Sequence, residues 1–158
     1  MECLDFAKIC EIDRADASEV TAFVQAELER MKASDELPEE MRGLILPAQI
    51  EEFVRSDAAI RMAEADKKGM LFKEKPFVMK HQGVLVQGII DVFWMEQDQL
   101  VLLDYKTDRV ETAEELVVRY KTQLDLYADA LGRIFADGNR QVKESLIYSF
   151  ALHEVIGV

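Results

Sequence analysis

Apolar positions change period once along this chain. In the first third they recur at helical spacing. Asp16-Ala17-Ser18-Glu19 has the form of a capping box, an N-cap acid with a glutamate three residues on. Val20, Phe23, Val24, Leu28 and Met31 then predict about three turns of one buried helical face. Ser34 to Arg42, acidic throughout and carrying Pro38, reads as a loop. Pro47 suits the first turn of a second helix, with Ile50, Phe53 and Val54 inward. Ser56 or Asp57 can cap a third helix through Ile60, Met62 and Ala63, stopped by Gly69.

Beyond Gly69 the chain reads as strands. Leu71 to Lys80 is one, and Pro76 marks it as an edge strand or an irregular one. His81-Gln82-Gly83 predicts a turn into Val84–Glu96, rich in Val, Ile, Phe and Trp. Gln97-Asp98 turns that strand into Leu100–Lys106, so a three-strand antiparallel meander is expected. Residues 112–136 form the longest helix, with Ala113, Leu116, Val117, Tyr120, Leu124, Tyr127, Leu131 and Ile134 on one stripe. Asp137-Gly138-Asn139 ends it, and Glu144 to His153 returns as a last strand. The expected fold is α/β, a central mixed sheet flanked by helices. Residues 1–70 are its helical N-terminal part and residues 71–158 its core, together one domain.

Composition narrows the class. With 158 residues, 49% hydrophobic and 32% charged, the chain can bury one ordinary core. No apolar run approaches the roughly 18 residues that span a bilayer. Acids at Glu2 and Asp5 stand where a secretory signal carries bases, so a cytoplasmic protein with no membrane contact is expected. Cys3 and Cys10 alone cannot build a four-cysteine zinc site or an iron–sulfur cluster. The net charge of −12 argues against a generic nucleic-acid binder, but it is unevenly spread. Residues 1–60 hold a net −9, whereas Lys67, Lys68, Lys73, Lys75 and Lys80 face the single acid Glu74 between residues 67 and 80. The acidic helices, with Glu27, Glu29, Glu39 and Glu40, suggest a protein-docking face.

Candidate chemistry sits at the ends of the second and third strands. Side chains alternate along a strand, so Asp104 and Lys106 share a face while Leu103 and Tyr105 point the other way. Asp91 lies 13 residues earlier on the neighbouring strand, near enough in a short meander to bring a second carboxylate beside Asp104. Two carboxylates with open positions suit Mg²⁺, and a nearby lysine can position water or offset developing charge. The plainer reading is a solvated strand end whose exposed ion pair is worth roughly 0–1 kcal/mol. Against it, these charges directly follow the apolar run Leu100-Val101-Leu102-Leu103. Gln123 and Tyr127, four apart on the long helix, share a face. Glu74 is an acid in a basic strip, and taken singly it reads as an ion-pair partner.

The ordered set Glu74-Lys75-Pro76-Phe77, Gly88-Ile89-Ile90-Asp91, Asp104-Tyr105-Lys106-Thr107 and Gln123-Leu124-Asp125-Leu126-Tyr127 resembles the RecB-type nucleases of the PD-(D/E)XK superfamily. Within that branch the chain is similar to the nuclease domain of AddAB/RecBCD-type helicase–nucleases, over nearly its whole length. The resemblance implies a restriction-endonuclease-like core that hydrolyses DNA phosphodiesters with Mg²⁺ or Mn²⁺, leaving 5′-phosphate and 3′-hydroxyl ends. Asp91, Asp104 and the Tyr105 backbone carbonyl would be metal ligands, and Lys106 the catalytic lysine. Gln123 and Tyr127 would support the site and position DNA, and Glu74 matches a family acid. Implied partners are DNA, the helicase portion of a longer parent chain and an AddB-type subunit. The family pattern also has an upstream helical histidine. His81 and His153 are the only histidines, and neither lies in such a helix. A fragment cut just after that helix is the expected account, with weakened metal binding. The competing reading is a nuclease-fold module, catalytically incomplete, that binds DNA or a partner protein. A third is an unrelated acidic interaction domain. No Gly-x-x-x-x-Gly-Lys-Ser/Thr loop is present: Gly83 and Gly88 have the first spacing, but Ile89-Ile90 follows.

Overall fold

The computed structural model describes residues 1, 3–136 and 140–158. These form two compact units, Met1–Lys68 and Gly69–Val158. The helix end expected at Asp137-Gly138-Asn139 lies outside the described residues.

The first unit is helical. A 3-10 turn, Phe6–Glu11, precedes α1 (Ala17–Ala33), a short α2 (Glu39–Arg42), α3 (Pro47–Arg55) and α4 (Asp57–Lys67). Asp16 caps α1 by accepting the Ser18 N–H. Glu19, however, takes the Asp13 N–H, so the reciprocal half of the capping box reaches the preceding turn instead. Ser56 caps α4 through the Ala59 N–H, and Gly69 follows with φ +67°, which glycine adopts without a steric penalty. Phe6, Val20, Phe53 and Met62 are buried, with Phe6 edge-on to Phe53 at 6.1 Å.

Two expectations for this unit are corrected. The Ser34–Arg42 stretch contains one helical turn, α2, because Pro38 supplies an extended backbone just before the first-turn acids Glu39 and Glu40. Glu27 is no part of an exposed acidic face; it is 3% exposed. Its carboxylate accepts from Arg30, Lys8 and the Asp5 N–H, and Arg30 also donates to the Cys3 carbonyl. Helical spacing placed Glu27 on the buried stripe beside Val20, Phe23, Val24 and Met31, and only these partners make a charge tolerable there.

The second unit is a five-strand sheet in the order β1-β2-β3-β4-β5. Its strands are β1 (Leu71–His81), β2 (Val84–Glu96), β3 (Gln99–Lys106), β4 (Val142–Ser149) and β5 (Glu154–Gly157). The first three form the expected meander. Its two-residue turns hold Gln82, Gly83, Gln97 and Asp98 at positive φ, as a type I′ hairpin requires. β1 is an edge strand, which is where Pro76 can stand without removing a ladder hydrogen bond.

Helix α5 (Ala113–Ile134), capped by Thr112, crosses over to β4, which pairs parallel to β3. Leu116, Leu124, Ala130 and Leu131 of α5 join Phe77, Ile90, Phe93, Leu100, Leu102 and Ile147 in one core cluster. Ile134, assigned to the stripe from its spacing, is 45% exposed at the last turn. The closing strand also differs from expectation. β4 ends at Ser149, residues 150–153 turn with His153 at φ +55°, and β5 returns antiparallel to β4.

Candidate active site

β1 and β2 pair from Leu71–Trp94 to His81–Val84 with one position skipped, Glu74 opposite Asp91. Glu74 sits there at φ +48°. The strands change face at this point. Phe72 and Phe77 are five apart and Ile90 and Phe93 three apart, odd spacings that alternation assigns to opposite faces, yet all four pack into the same cluster. A paired irregularity in both strands therefore re-aims the side chains on either side of Asp91, as bulges near functional sites commonly do.

β2 and β3 part at the same level. Their ladder runs from Glu96–Gln99 to Val92–Leu103 and stops. One step further, the Asp91 carboxylate accepts the Tyr105 N–H at 3.0 Å in place of a backbone carbonyl. β3 continues, paired with β4 as far as Lys106–Ser149, and the Lys106 carbonyl accepts the Phe150 N–H. Since N–H and C=O of one strand residue point to the same side, the Tyr105 carbonyl faces the parted β2 side. The apolar run Leu100–Leu103, fully buried, drives β3 to the centre of the sheet and carries Asp104 with it.

Asp104 is 1% exposed, and its Oδ2 forms an ion pair with Lys106 Nζ. Burial raises the Asp104 carboxyl above the ordinary aspartate range; the Lys106 ammonium pulls it down, and neighbouring Asp91 pushes it up again. The plain reading of a solvated strand end does not hold. This is a desolvated pair, costly unless the surroundings compensate. Lys106 Nζ lies 4.1 Å from the centre of the Tyr120 ring. The Tyr120 hydroxyl donates to Asp108 at 2.8 Å, and Arg119 donates to the other Asp108 oxygen at 2.8 Å. Desolvation raises the Tyr120 phenol, and the Asp108 carboxylate beside it adds to that rise. The sequence reading missed Tyr120 and Asp108 as parts of the site. Tyr120 stood on an apolar stripe, and the usable signal was its position one turn before Gln123 and Leu124.

Gln123 Nε2 donates to the Tyr127 hydroxyl at 2.7 Å. Tyr127 packs edge-on to Phe77 at 5.6 Å. Gly88 makes this possible: a Cβ there would stand 2.9 Å from Phe77 Cε1 and 3.5 Å from Tyr127 Cε1. Burial raises the Tyr127 phenol, and Asp104 and Asp91 are near enough to add to it. Asp91, Asp104, Tyr105, Lys106 and Tyr127 are thus brought together, with Gln123 behind Tyr127.

Glu74 is exposed; among the described residues no cluster of three or more His, Cys, Asp or Glu could hold a metal. His81 pairs with Asp129 at 3.3 Å, away from this site. Asp91 and Asp104 present two carboxyl groups beside the ammonium of Lys106. An all-oxygen donor pair of that kind fits a hard divalent cation that keeps several waters, and does not suit a thiolate- or imidazole-preferring metal.

The chain belongs to the PD-(D/E)XK nuclease superfamily, whose family model matches residues 3–154. Among curated proteins it is similar to an ATP-dependent helicase/nuclease of the AddA type from Clostridium perfringens strain 13, at 33% identity over 177 aligned residues. That match covers all of this chain and 13% of the relative. The protein of the same description from Clostridium botulinum strain Loch Maree is 30% identical over 151 residues, covering 85% of this chain and 11% of the relative. The chain therefore spans about an eighth of the length of these relatives. Among the described residues no helix is long and apolar enough to cross a membrane.

Proposed function

We propose that this chain is the DNA-hydrolysing exonuclease domain of an AddAB/RecBCD-type helicase–nuclease acting in double-strand-break repair and recombination. The observation that carries the reading is the buried Asp104–Lys106 pair with Asp91 beside it, where β2 and β3 part. Residues 1–70 and 71–158 act as one domain of a longer chain, a reading supported by a family match that runs through both. The partners are then DNA, the helicase portion of the parent chain and an AddB-type subunit, in the cytoplasm where its substrate lies.

PD-(D/E)XK nucleases generally use divalent metal ions, and here Asp91, Asp104 and the Tyr105 carbonyl would hold Mg²⁺ or Mn²⁺. When bound, the ion supplies Lewis-acid polarisation of a phosphate oxygen and lowers the pKa of water. Lys106 orients the attacking water and offsets negative charge on the phosphorus in the transition state. The water oxygen bonds to phosphorus and releases a proton to solvent, the P–O3′ bond breaks, and the leaving 3′-oxygen takes a proton from solvent, giving 3′-hydroxyl and 5′-phosphate ends. Tyr127, held by Gln123, positions the strand, and Glu74, opposite Asp91 in the β1–β2 register, is a further positioning acid. No iron–sulfur cluster is expected in this stretch.

One observation favours a second reading. Among the described residues no cluster of three or more His, Cys, Asp or Glu could hold a metal, and a catalytically incomplete module that binds DNA or a partner protein fits that. The deciding experiment is Mg²⁺- or Mn²⁺-dependent cleavage of single-stranded DNA, with Asp104→Ala and Lys106→Ala as controls. Cleavage lost in both variants supports the nuclease. DNA binding with no cleavage in either metal supports the binding module.

A further inference from the structure

A groove of about 600 Å³ runs between the free edge of β1 and the last turns of α5, lined among others by Lys75, Phe77, Lys80, Arg133 and Ile134. We propose that this groove is a track for the phosphate backbone of single-stranded DNA, leading the strand to Asp91, Asp104 and Lys106. The inference rests on the nuclease reading and adds the residues that guide its substrate.

Charge and position support it. Lys75 and Lys80 are exposed, and neither has an ion-pair partner among the described residues. Arg133 adds a third cation. Its charge is shared with Asp129, which also holds His81. In a chain of net charge −12, an edge lined by lysines that no acid neutralises is a local exception. The two lysines are five strand positions apart, about 17 Å, so by alternation they flank the free edge of β1 from its two faces and span more than one phosphate step of an extended strand. The groove also reaches the site. Its Lys75 end adjoins Glu74, the residue opposite Asp91, and Phe77 on its wall touches Tyr127. Its volume is that of a small-ligand cleft.

The main competing occupant of an open sheet edge is an added peptide strand, and β1 is defended against that. Arg133 Nη1 occupies the outward-facing Lys80 carbonyl at 2.8 Å. By alternation Val78 and Pro76 face outward as well, and Pro76 has no N–H to give. Little of the edge is left for backbone pairing, whereas the lysine side chains remain available.

The test compares the 158-residue chain with its Lys75→Ala/Lys80→Ala variant, and with Lys121→Ala/Lys143→Ala as a variant of equal charge change. Binding of a fluorescent oligothymidine about 20 nucleotides long is titrated in EDTA at several salt concentrations, and cleavage is followed in Mg²⁺ or Mn²⁺. The groove variant is expected to bind about ten-fold more weakly, and its salt slope to fall by about 1.4, two single-strand phosphate contacts. KM should rise while kcat stays within about two-fold, and the control should match the parent. Unchanged affinity and slope, or a loss seen only with duplex DNA, would overturn the track. Failure of the underlying nuclease reading looks different: the unmodified chain would bind in EDTA with its full salt slope yet cleave nothing.

Discussion

Asp91 Oδ2 replaces a backbone carbonyl in the sheet, accepting the Tyr105 N–H at 3.0 Å where the β2–β3 ladder ends. One side chain thus closes a break in hydrogen bonding and stands beside Asp104. Structure and chemistry can be separated there. Asp91→Asn keeps an acceptor for the Tyr105 N–H and should unfold in urea within about 0.5 kcal/mol of the parent, whereas Asp91→Ala should lose about 1 kcal/mol. Both should lose cleavage, and a DNA-cleavage assay run beside the urea titration checks the pair.

Among the described residues, Lys106 is the cation paired with the buried Asp104 carboxylate. Lys106→Met should cost roughly 3–5 kcal/mol, because it strands an unpaired buried charge. The double change Asp104→Leu/Lys106→Met should recover most of that stability while remaining inactive. Thermal unfolding of the three proteins checks this, and a double variant no more stable than Lys106→Met would show that the pair contributes beyond its charges.

At Gly88 an added methyl meets the ring of Phe77 at 2.9 Å, a contact too short to persist. Gly88→Ala should destabilise by about 1–3 kcal/mol through overpacking. It should also weaken cleavage by moving Phe77 against Tyr127. Phe77→Leu in the same chain removes the ring edge and should return part of the stability. Melting temperatures of the single and double variants decide.

Burial pushes the Glu27 carboxyl up, but hydrogen bonds from Arg30, the Asp5 N–H and Lys8 outweigh it, so the group ends below its usual range. A carboxyl with a lowered folded pKa adds stability that is full above the ordinary glutamate value of about 4.3. That stability fades as pH falls from there through the folded value. Glu27→Gln should therefore be less stable at about pH 7 and show a flatter loss below about pH 4.3. Urea midpoints from about pH 7 down to about pH 3 measure it, and parallel pH profiles for the two proteins would contradict the assignment.

Adding Mg²⁺ should raise the melting temperature of the parent chain and leave Asp91→Asn/Asp104→Asn unmoved, since binding to the folded state alone stabilises by mass action. At a concentration about 100-fold above Kd the gain is about 2.7 kcal/mol. An equal rise in both proteins would place the ion elsewhere.

What the sequence determined by itself was whatever depends on neighbours within a few residues. Strand alternation put Asp104 and Lys106 on one face, Gln97-Asp98 and His81-Gln82-Gly83 marked turns, Ser56 or Asp57 marked a cap, and helical spacing stacked Gln123 on Tyr127. The ordered motifs added the family, which the match over residues 3–154 bears out. The tertiary structure decided the rest, because each remaining feature needs a partner distant in the chain. The face change at Glu74 and Asp91 exists only once β1 and β2 pair. Tyr120 reaches Lys106 only after α5 packs on the sheet, and Arg133 covers the Lys80 carbonyl 53 residues away. Burial of Asp104 and Glu27 is of the same kind. A charged side chain has the same local pattern whether it ends in water or in a core, and only the surrounding fold supplies the cations that let it stay inside.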